Sequence, residues 1–255
     1  MRMLKVEGVS KSFGNKLVLE NLHLEVNEGE FVSILGPSGS GKSTLLHLIG
    51  GLYTPDQGTI RLQGEVVNGK SGKVSYMPQQ PSLFPWRTVL QNVMLAQEII
   101  GRPNQKIAQQ MLEKAGLGDV IHNYPHQLSG GMKQRVAFIR ALLSPHPFIC
   151  LDEPFSALDE FTRYEMQMWL REILKEHQRT ILLITHNIDE AILLSDRLYI
   201  FTNRPATVKK EIHVPFPQPR EQELMLTEPF MEVKKEVYEQ LRTELKTGDS
   251  VETSY

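Results

Sequence analysis

The sequence is poor in cysteine. It has one, Cys150, in 255 residues, so no intramolecular disulfide can brace the fold, and a reducing compartment fits. A long hydrophobic run is lacking as well. Stretches such as "ILLI" at Ile181–Ile184 fall well short of the roughly 18–20 apolar residues of a membrane helix. The opening "MRMLKVEGVS" has no apolar core of signal-peptide length. The chain is therefore expected to be soluble or peripheral, and unable by itself to form a path through a bilayer. An excess of positive charge is missing too. Lys and Arg number 28 against 30 Asp and Glu, a net charge of −2, which gives no electrostatic footprint for nucleic acid. No repeat of about 20–50 residues and no low-complexity tract is present. What remains, 40% hydrophobic and 23% charged residues, is the composition of an ordinary globular protein.

The apolar pattern changes along the chain. Leu22, Leu24 and Val26 alternate with His23 and Glu25, the period of a half-buried strand. "VSKSFGNKLVLENL" before it predicts strand, turn, strand, with Gly14–Asn15 as the turn. "FVSILG" (Phe31–Gly36) is a continuous apolar run, as in strands buried on both faces. "STLLHLIGGL" follows as a helix stopped at Gly50–Gly51. Two more buried runs are Phe148–Leu151 and Thr180–His186. Between them Met166, Trp169, Leu170, Ile173 and Leu174 keep helical spacing. Strand, helix, strand in that order predicts a parallel α/β core. The middle, about 81–144, reads as helices punctuated by Gly and Pro, a helical insertion in a domain spanning 1–205. Residues 206–255 form a proline-punctuated extension. It ends in an amphipathic helix marked by Phe230, Val233, Val237 and Leu241, suited to packing on the core or to a partner.

"GPSGSGKS" (Gly36–Ser43) lies between the buried strand and the helix. Its glycines let consecutive backbone N–H groups converge on an anion, and the helix adds its positive end. Lys42 then places a charge on the β/γ-phosphates, and the Ser43 hydroxyl can ligate Mg²⁺. In "FICLDEP" a strand carries Asp152 and Glu153 to its C-terminal edge, where parallel sheets place ligands. Asp152 suits Mg²⁺, directly or one step removed, and Glu153 can act as general base on water. A solvated acidic turn is the plainer alternative. His186 closes the next strand and could meet a γ-phosphate or orient the water, though many histidines are only structural. Cys150 is read as a small buried apolar residue. "LSGGMKQR" (Leu128–Arg135) is a second anion seat at a helix start, with no acid, base or metal ligand beside it.

Taken in order, "GPSGSGKST", Gln79 in "MPQQ", "LSGGMKQR", "FICLDEP", "FSALD" and "THNIDEA" resemble the nucleotide-binding subunit of ATP-binding-cassette transporters. The likeness runs from Lys5 to about Pro205. It implies an α/β phosphate-loop ATPase fold with a parallel core sheet, an N-terminal antiparallel β subdomain and a helical insertion. It implies ATP and Mg²⁺ as ligands. Gly36, Pro37, Ser38, Gly39, Ser40, Gly41, Lys42, Ser43 and Thr44 match the phosphate loop. Phe13 matches the aromatic that stacks on adenine, where many members have Tyr. Ser43, Gln79 and Asp152 match the Mg²⁺ shell, Glu153 the catalytic base and His186 the switch histidine. Ser129, Gly130, Gly131 and Asp159 match residues that reach the ATP of a second copy in a head-to-tail dimer.

The same resemblance implies a separate permease dimer in the membrane, an extracytoplasmic solute-binding protein behind it, and a peripheral place on the cytoplasmic face. "SLFPWRTVLQNV" and "NRPATV" look like the branch importing nitrate, taurine, aliphatic sulfonates or thiamine-pyrimidine precursors. A cassette ATPase acting on DNA or ribosomes is the rival reading. It needs coiled-coil insertions, zinc cysteines or paired cassettes, and the sequence has none. A nucleotide kinase would lack "LSGG" and need lid arginines.

Overall fold

The computed structural model describes residues 1–177 and 179–248, the side chains of 173–177 and 245–248 excepted. The expected helix positions Ile173 and Leu174 lie outside the described side chains. Strands β1 (Arg2–Phe13) and β2 (Lys16–Asn27) form a hairpin with Phe13 opposite Lys16. Gly14 turns it at a φ of 57°, a region glycine enters without steric cost. Leu22, Leu24 and Val26 are buried and His23 is exposed, as the alternation requires. β3 (Phe31–Leu35) is buried at every position. Helix α1 (Lys42–Ile49) follows and stops at Gly50. β4 (Gln57–Leu62), β5 (Glu65–Val66) and β6 (Ser75–Met77) come next.

Helices α2 (Val89–Ile99) and α3 (Gln105–Lys114) begin at side-chain caps. Thr88 and Gln91 make a reciprocal capping box on α2, and Asn104 caps α3. α4 (Gly130–Leu142), the buried strand β7 (Phe148–Asp152) and α5 (Glu160–His177) complete the middle. On α5 the expected inward positions Met166, Trp169 and Leu170 are buried. Then come β8 (Thr180–Ile184), α6 (Ile188–Leu194), β9 (Arg197–Phe201), β10 (Val208–His213) and α7 (Glu228–Gly248). No described helix is long and apolar enough to cross a membrane.

The chain divides into two compact units, Met1–Val74 with the chain from Arg179 onward, and the segment that begins at Ser75. The first unit holds an antiparallel sheet in the order β2-β1-β4-β5. It is thus completed by two strands that follow α1. In the same unit β10, β9, β3 and β8 lie side by side. β8 and β9 run parallel to β3, and β10 pairs antiparallel with β9. Part of the proline-punctuated segment is therefore a strand, built into the sheet. Phe230, Val233 and Val237 of α7 are buried against Leu35, Ile192, Leu198, Ile200 and Ile212, with Leu241 packed beside them. Burying such side chains stabilises by about 1.5–3 kcal/mol each. The second unit is helical around one parallel pair, β6 and β7.

Candidate functional site

In the first unit, β3 delivers the chain to a tightly held loop. A Cβ on Gly36 would lie 2.9 Å from Phe201 Cβ. Gly39 and Gly41 adopt φ of 73° and 116°, and a Cβ on Gly41 would meet Leu19 and Val18 at 2.9 Å. β2 therefore packs directly under the loop. On that loop Pro37 is half-buried and Ser38 exposed. Lys42 Nζ donates to the carbonyls of Gly36 and Pro37, each at 2.8 Å, which curls its positive charge over the loop. Ser43 and Thr44, half-buried, follow on the first turn of α1.

That first turn has no side-chain cap and no acidic residue. Its N–H groups and the positive helix end are directed at whatever the loop holds. Ser40 Oγ is buried without a hydrogen-bond partner among the described residues. Such an orphan costs about 1–3 kcal/mol, and an anion seated in the loop would satisfy it. These features fit a nucleotide phosphate.

Parallel pairing sets Ile34 of β3 opposite Ile184 of β8. The loop after β3 and His186 after β8 therefore share one sheet edge. β8 itself ends at Ile184, so His186 stands two positions beyond it, exposed. Asn187 then caps α6, accepting from Glu190 N at 3.1 Å. Phe13 ends β1 with 41% of its surface exposed. Its ring meets Tyr53 edge-on, centroids 5.2 Å apart, and Lys11 Nζ stands 5.5 Å from its centre. The ring keeps an open face of the kind a flat base can cover.

The second unit gathers the remaining residues. β6 and β7 pair in parallel with Met77 opposite Leu151. Two residues on, that register sets Gln79 beside Glu153, and Gln79 Nε2 donates to Glu153 Oε2 at 3.0 Å. Glu153 has a φ of 49°, a left-handed backbone that costs a non-glycine residue about 1–3 kcal/mol. Neighbouring contacts hold it there. Its carbonyl accepts from Ser156 Oγ at 3.0 Å and from Gln134 Nε2 at 3.4 Å. Asp152 is buried at the end of β7. Burial, and then the charge of Asp152, pushes the Cys150 thiol far above its ordinary range. It stays protonated and inert.

α4 opens at Ser129, whose Oγ accepts from Met132 N at 3.3 Å. Ser129 and Gly130 are exposed, and a Cβ on Gly130 would meet nothing within 4 Å. A Cβ on Gly131 would lie 3.4 Å from Leu158 Cδ2. This "LSGG" signature loop, Leu128–Gly131, thus packs on the segment that leads to Asp159. Asp159 Oδ1 accepts from Thr162 N at 3.0 Å at the start of α5, and this bond foremost holds its carboxyl below the usual range.

The expected residues thus fall into two sets. Phe13, Gly36–Thr44 and His186 belong to the first unit; Gln79, Ser129–Gly131, Asp152, Glu153 and Asp159 belong to the second. One member was not foreseen. Gln134 is buried and its amide reaches both Gln79 O at 3.5 Å and Glu153 O at 3.4 Å. It ties the helix of the signature loop to the Glu153 turn. The available signal was its place within "LSGGMKQR", four residues after Gly130 and so about one helical turn on.

The family model for the ABC transporter matches residues 19–156. An uncharacterised ABC transporter ATP-binding protein of Methanocaldococcus jannaschii is 40% identical over 95% of this chain and 92% of its own length. The formylaminopyrimidine import ATP-binding protein ThiZ of Halalkalibacterium halodurans is 46% identical over 84% of this chain and 85% of its own. The bicarbonate transport ATP-binding protein CmpD of a Synechocystis strain is 40% identical, over 89% and 84%. Among solved structures, a dimeric ATP-binding cassette in a post-hydrolysis state with ADP and Pi superposes with a TM-score of 0.76. It is 33% identical and covers 84% of this chain and 100% of its own.

Proposed function

This chain belongs to the ABC transporter family of ATP-binding cassettes, and from that premise we propose that it hydrolyses ATP to energise import of a small solute through a separate membrane permease. The Gln79–Glu153 contact carries the catalytic part of this reading. A carboxylate on a left-handed turn, oriented by an amide from the neighbouring strand, is a preorganised base. In this reading Phe13 stacks on the base, the Gly36–Thr44 loop seats the phosphates, and Lys42 offsets their charge. Glu153 takes a proton from water as the water oxygen attacks the terminal phosphorus; the bond from that phosphorus to the β–γ bridging oxygen breaks, and ADP leaves with inorganic phosphate formed. His186 senses the γ-phosphate from the edge of the first unit.

Ser43, Gln79 and Asp152 offer hard oxygen donors that suit Mg²⁺. Held by such donors, the ion would neutralise developing charge on the phosphates. Ser129, Gly130 and Gly131, with Asp159 behind them, would contact the ATP of a second copy in a head-to-tail dimer. The exposure of Ser129 and the open space at Gly130 support that assignment. The chain would sit on the cytoplasmic face of the membrane as a peripheral subunit, under a permease dimer fed by an extracytoplasmic solute-binding protein. Relatives named for formylaminopyrimidine and bicarbonate support the reading of a small, polar solute of the nitrate, sulfonate, taurine and pyrimidine-precursor kind.

The decisive test is Glu153→Gln, assayed for binding and turnover. ATP binding should persist, turnover should fall by about a hundredfold or more, and an ATP-bound dimer should accumulate. Native turnover would refute the role of Glu153. Ser129→Arg should leave ATP binding to the isolated chain intact and abolish dimer-dependent hydrolysis.

A further inference from the structure

The segment "NRPA" enters the first unit at a point that the proposed cycle does not use. Arg204 Nη2 donates to the carbonyl of Gly39, in the middle of the phosphate loop. That carbonyl and the N–H of Ser40 belong to one rigid trans peptide. Ser40 N donates in turn to Pro37 O at 3.2 Å. The peptide is thereby held from outside by Arg204 and from inside by Pro37. Its orientation decides where the glycine-rich turn directs its amides.

The Arg204 loop is itself anchored twice. Ala206 N donates to Val18 O at 2.8 Å, and Glu20 N donates to Ala206 O at 3.1 Å. β2 therefore fixes the loop and also underlies Gly41. From the other side, Asn203 N donates to Glu244 Oε2 at 3.0 Å, and Asn203 Nδ2 donates to the Glu244 carbonyl. Glu244 lies near the end of α7 and pairs with Lys209 at 2.8 Å. The line of contacts runs from α7 through Asn203 and Arg204 to Gly39, all within the first unit.

We propose that Arg204 is a positioning residue for the phosphate loop, and that α7, through Glu244 and Asn203, holds it in register. The C-terminal helix thereby sets the nucleotide affinity of the loop. The proposal rests on the reading that Gly36–Thr44 binds nucleotide phosphate.

The experiment measures MgADP binding to the full chain by calorimetry, with thermal unfolding of each variant without nucleotide. Arg204 is exposed, so Arg204→Ala should unfold at the native temperature. It should bind MgADP about five- to tenfold more weakly, the scale of one charge-assisted hydrogen bond at a surface. KM for ATP should rise with kcat changed less than about twofold, the mark of lost ground-state binding. Arg204→Lys should restore part of the affinity. Glu244→Ala should weaken binding in the same direction by less, and in combination with Arg204→Ala it should add nothing further. Lys42→Ala separates the two readings. If Lys42→Ala loses MgADP binding while Arg204→Ala binds as the native chain does, the role of Arg204 is overturned and the phosphate seat stands. If Lys42→Ala binds normally, the seat itself is wrong. Additive losses in the double variant would overturn the link to α7.

Discussion

Two glycine-rich helix starts, at α1 and at α4, look alike in the sequence and differ in how they are finished. At α4 the serine completes its own helix, since Ser129 Oγ accepts from Met132 N. At α1 no side chain does so, and Ser40 Oγ is buried without a partner among the described residues. The α4 start satisfies itself and faces outward. The α1 start is incomplete without a ligand. A self-sufficient end suits a surface that meets its target only on association. An incomplete end suits a seat that holds its ligand from the outset.

The glycines should show this difference most strongly. Gly41→Ala forces a Cβ into a φ of 116° and to 2.9 Å from Val18 and Leu19. Left-handed backbone and overpacking together should cost about 2–5 kcal/mol, seen as a lower unfolding temperature and at least a roughly tenfold loss of MgADP affinity. Gly130→Ala enters open space and should change stability by about 0.5 kcal/mol or less. Equal destabilisation of the two variants would erase the contrast.

The serines should invert the pattern. Ser129→Ala removes a cap and should cost about 1 kcal/mol in chemical denaturation. Ser40→Ala removes an orphan and should leave stability unchanged or slightly raised, while nucleotide affinity falls. A Ser40→Ala chain that lost stability but bound normally would show that its hydroxyl has an internal role.

Much of this was legible in sequence because the chemistry is local. The phosphate loop, the Asp152–Glu153 pair and the signature each occupy a few consecutive residues, and Phe31–Leu35, Phe148–Asp152 and Thr180–Ile184 announce themselves by mostly apolar runs as strands buried throughout. The short strands were not legible. β6 has three residues before Pro78, too few for a period, yet its register with β7 is what brings Gln79 to Glu153. β4 lies beyond α1 and joins the N-terminal sheet only by long-range pairing with β1, and the two-residue β5 follows it as a short hairpin partner. β10 lies in the proline-punctuated stretch, which reads as extended chain, but its place in the sheet is set by pairing with β9. The hydrogen bond from Arg204 to Gly39 spans 165 positions, and no window of sequence reaches so far. Local backbone chemistry is written in consecutive residues, whereas register and cross-braces are written in packing.

A third helix start gives the smallest effect and the sharpest contrast in kind. Asp159 caps α5 as Ser129 caps α4, but with a charge. The Thr162 N–H, its main partner, holds the Asp159 carboxyl below the usual range. A folded pKa below the unfolded one means that the folded state binds the proton less well. Its contribution is therefore complete above the unfolded value, near about 4, and is lost as pH falls through the lowered folded value. Asp159→Ala should accordingly unfold at a slightly lower temperature than the native chain from about pH 8 to pH 5, with the gap closing below about pH 4. The gap for Ser129→Ala should stay constant over the same range, because a hydroxyl does not titrate there. If the Asp159→Ala gap persisted unchanged into strong acid, its cap would be acting as a neutral hydrogen bond, and the two helix starts would be alike.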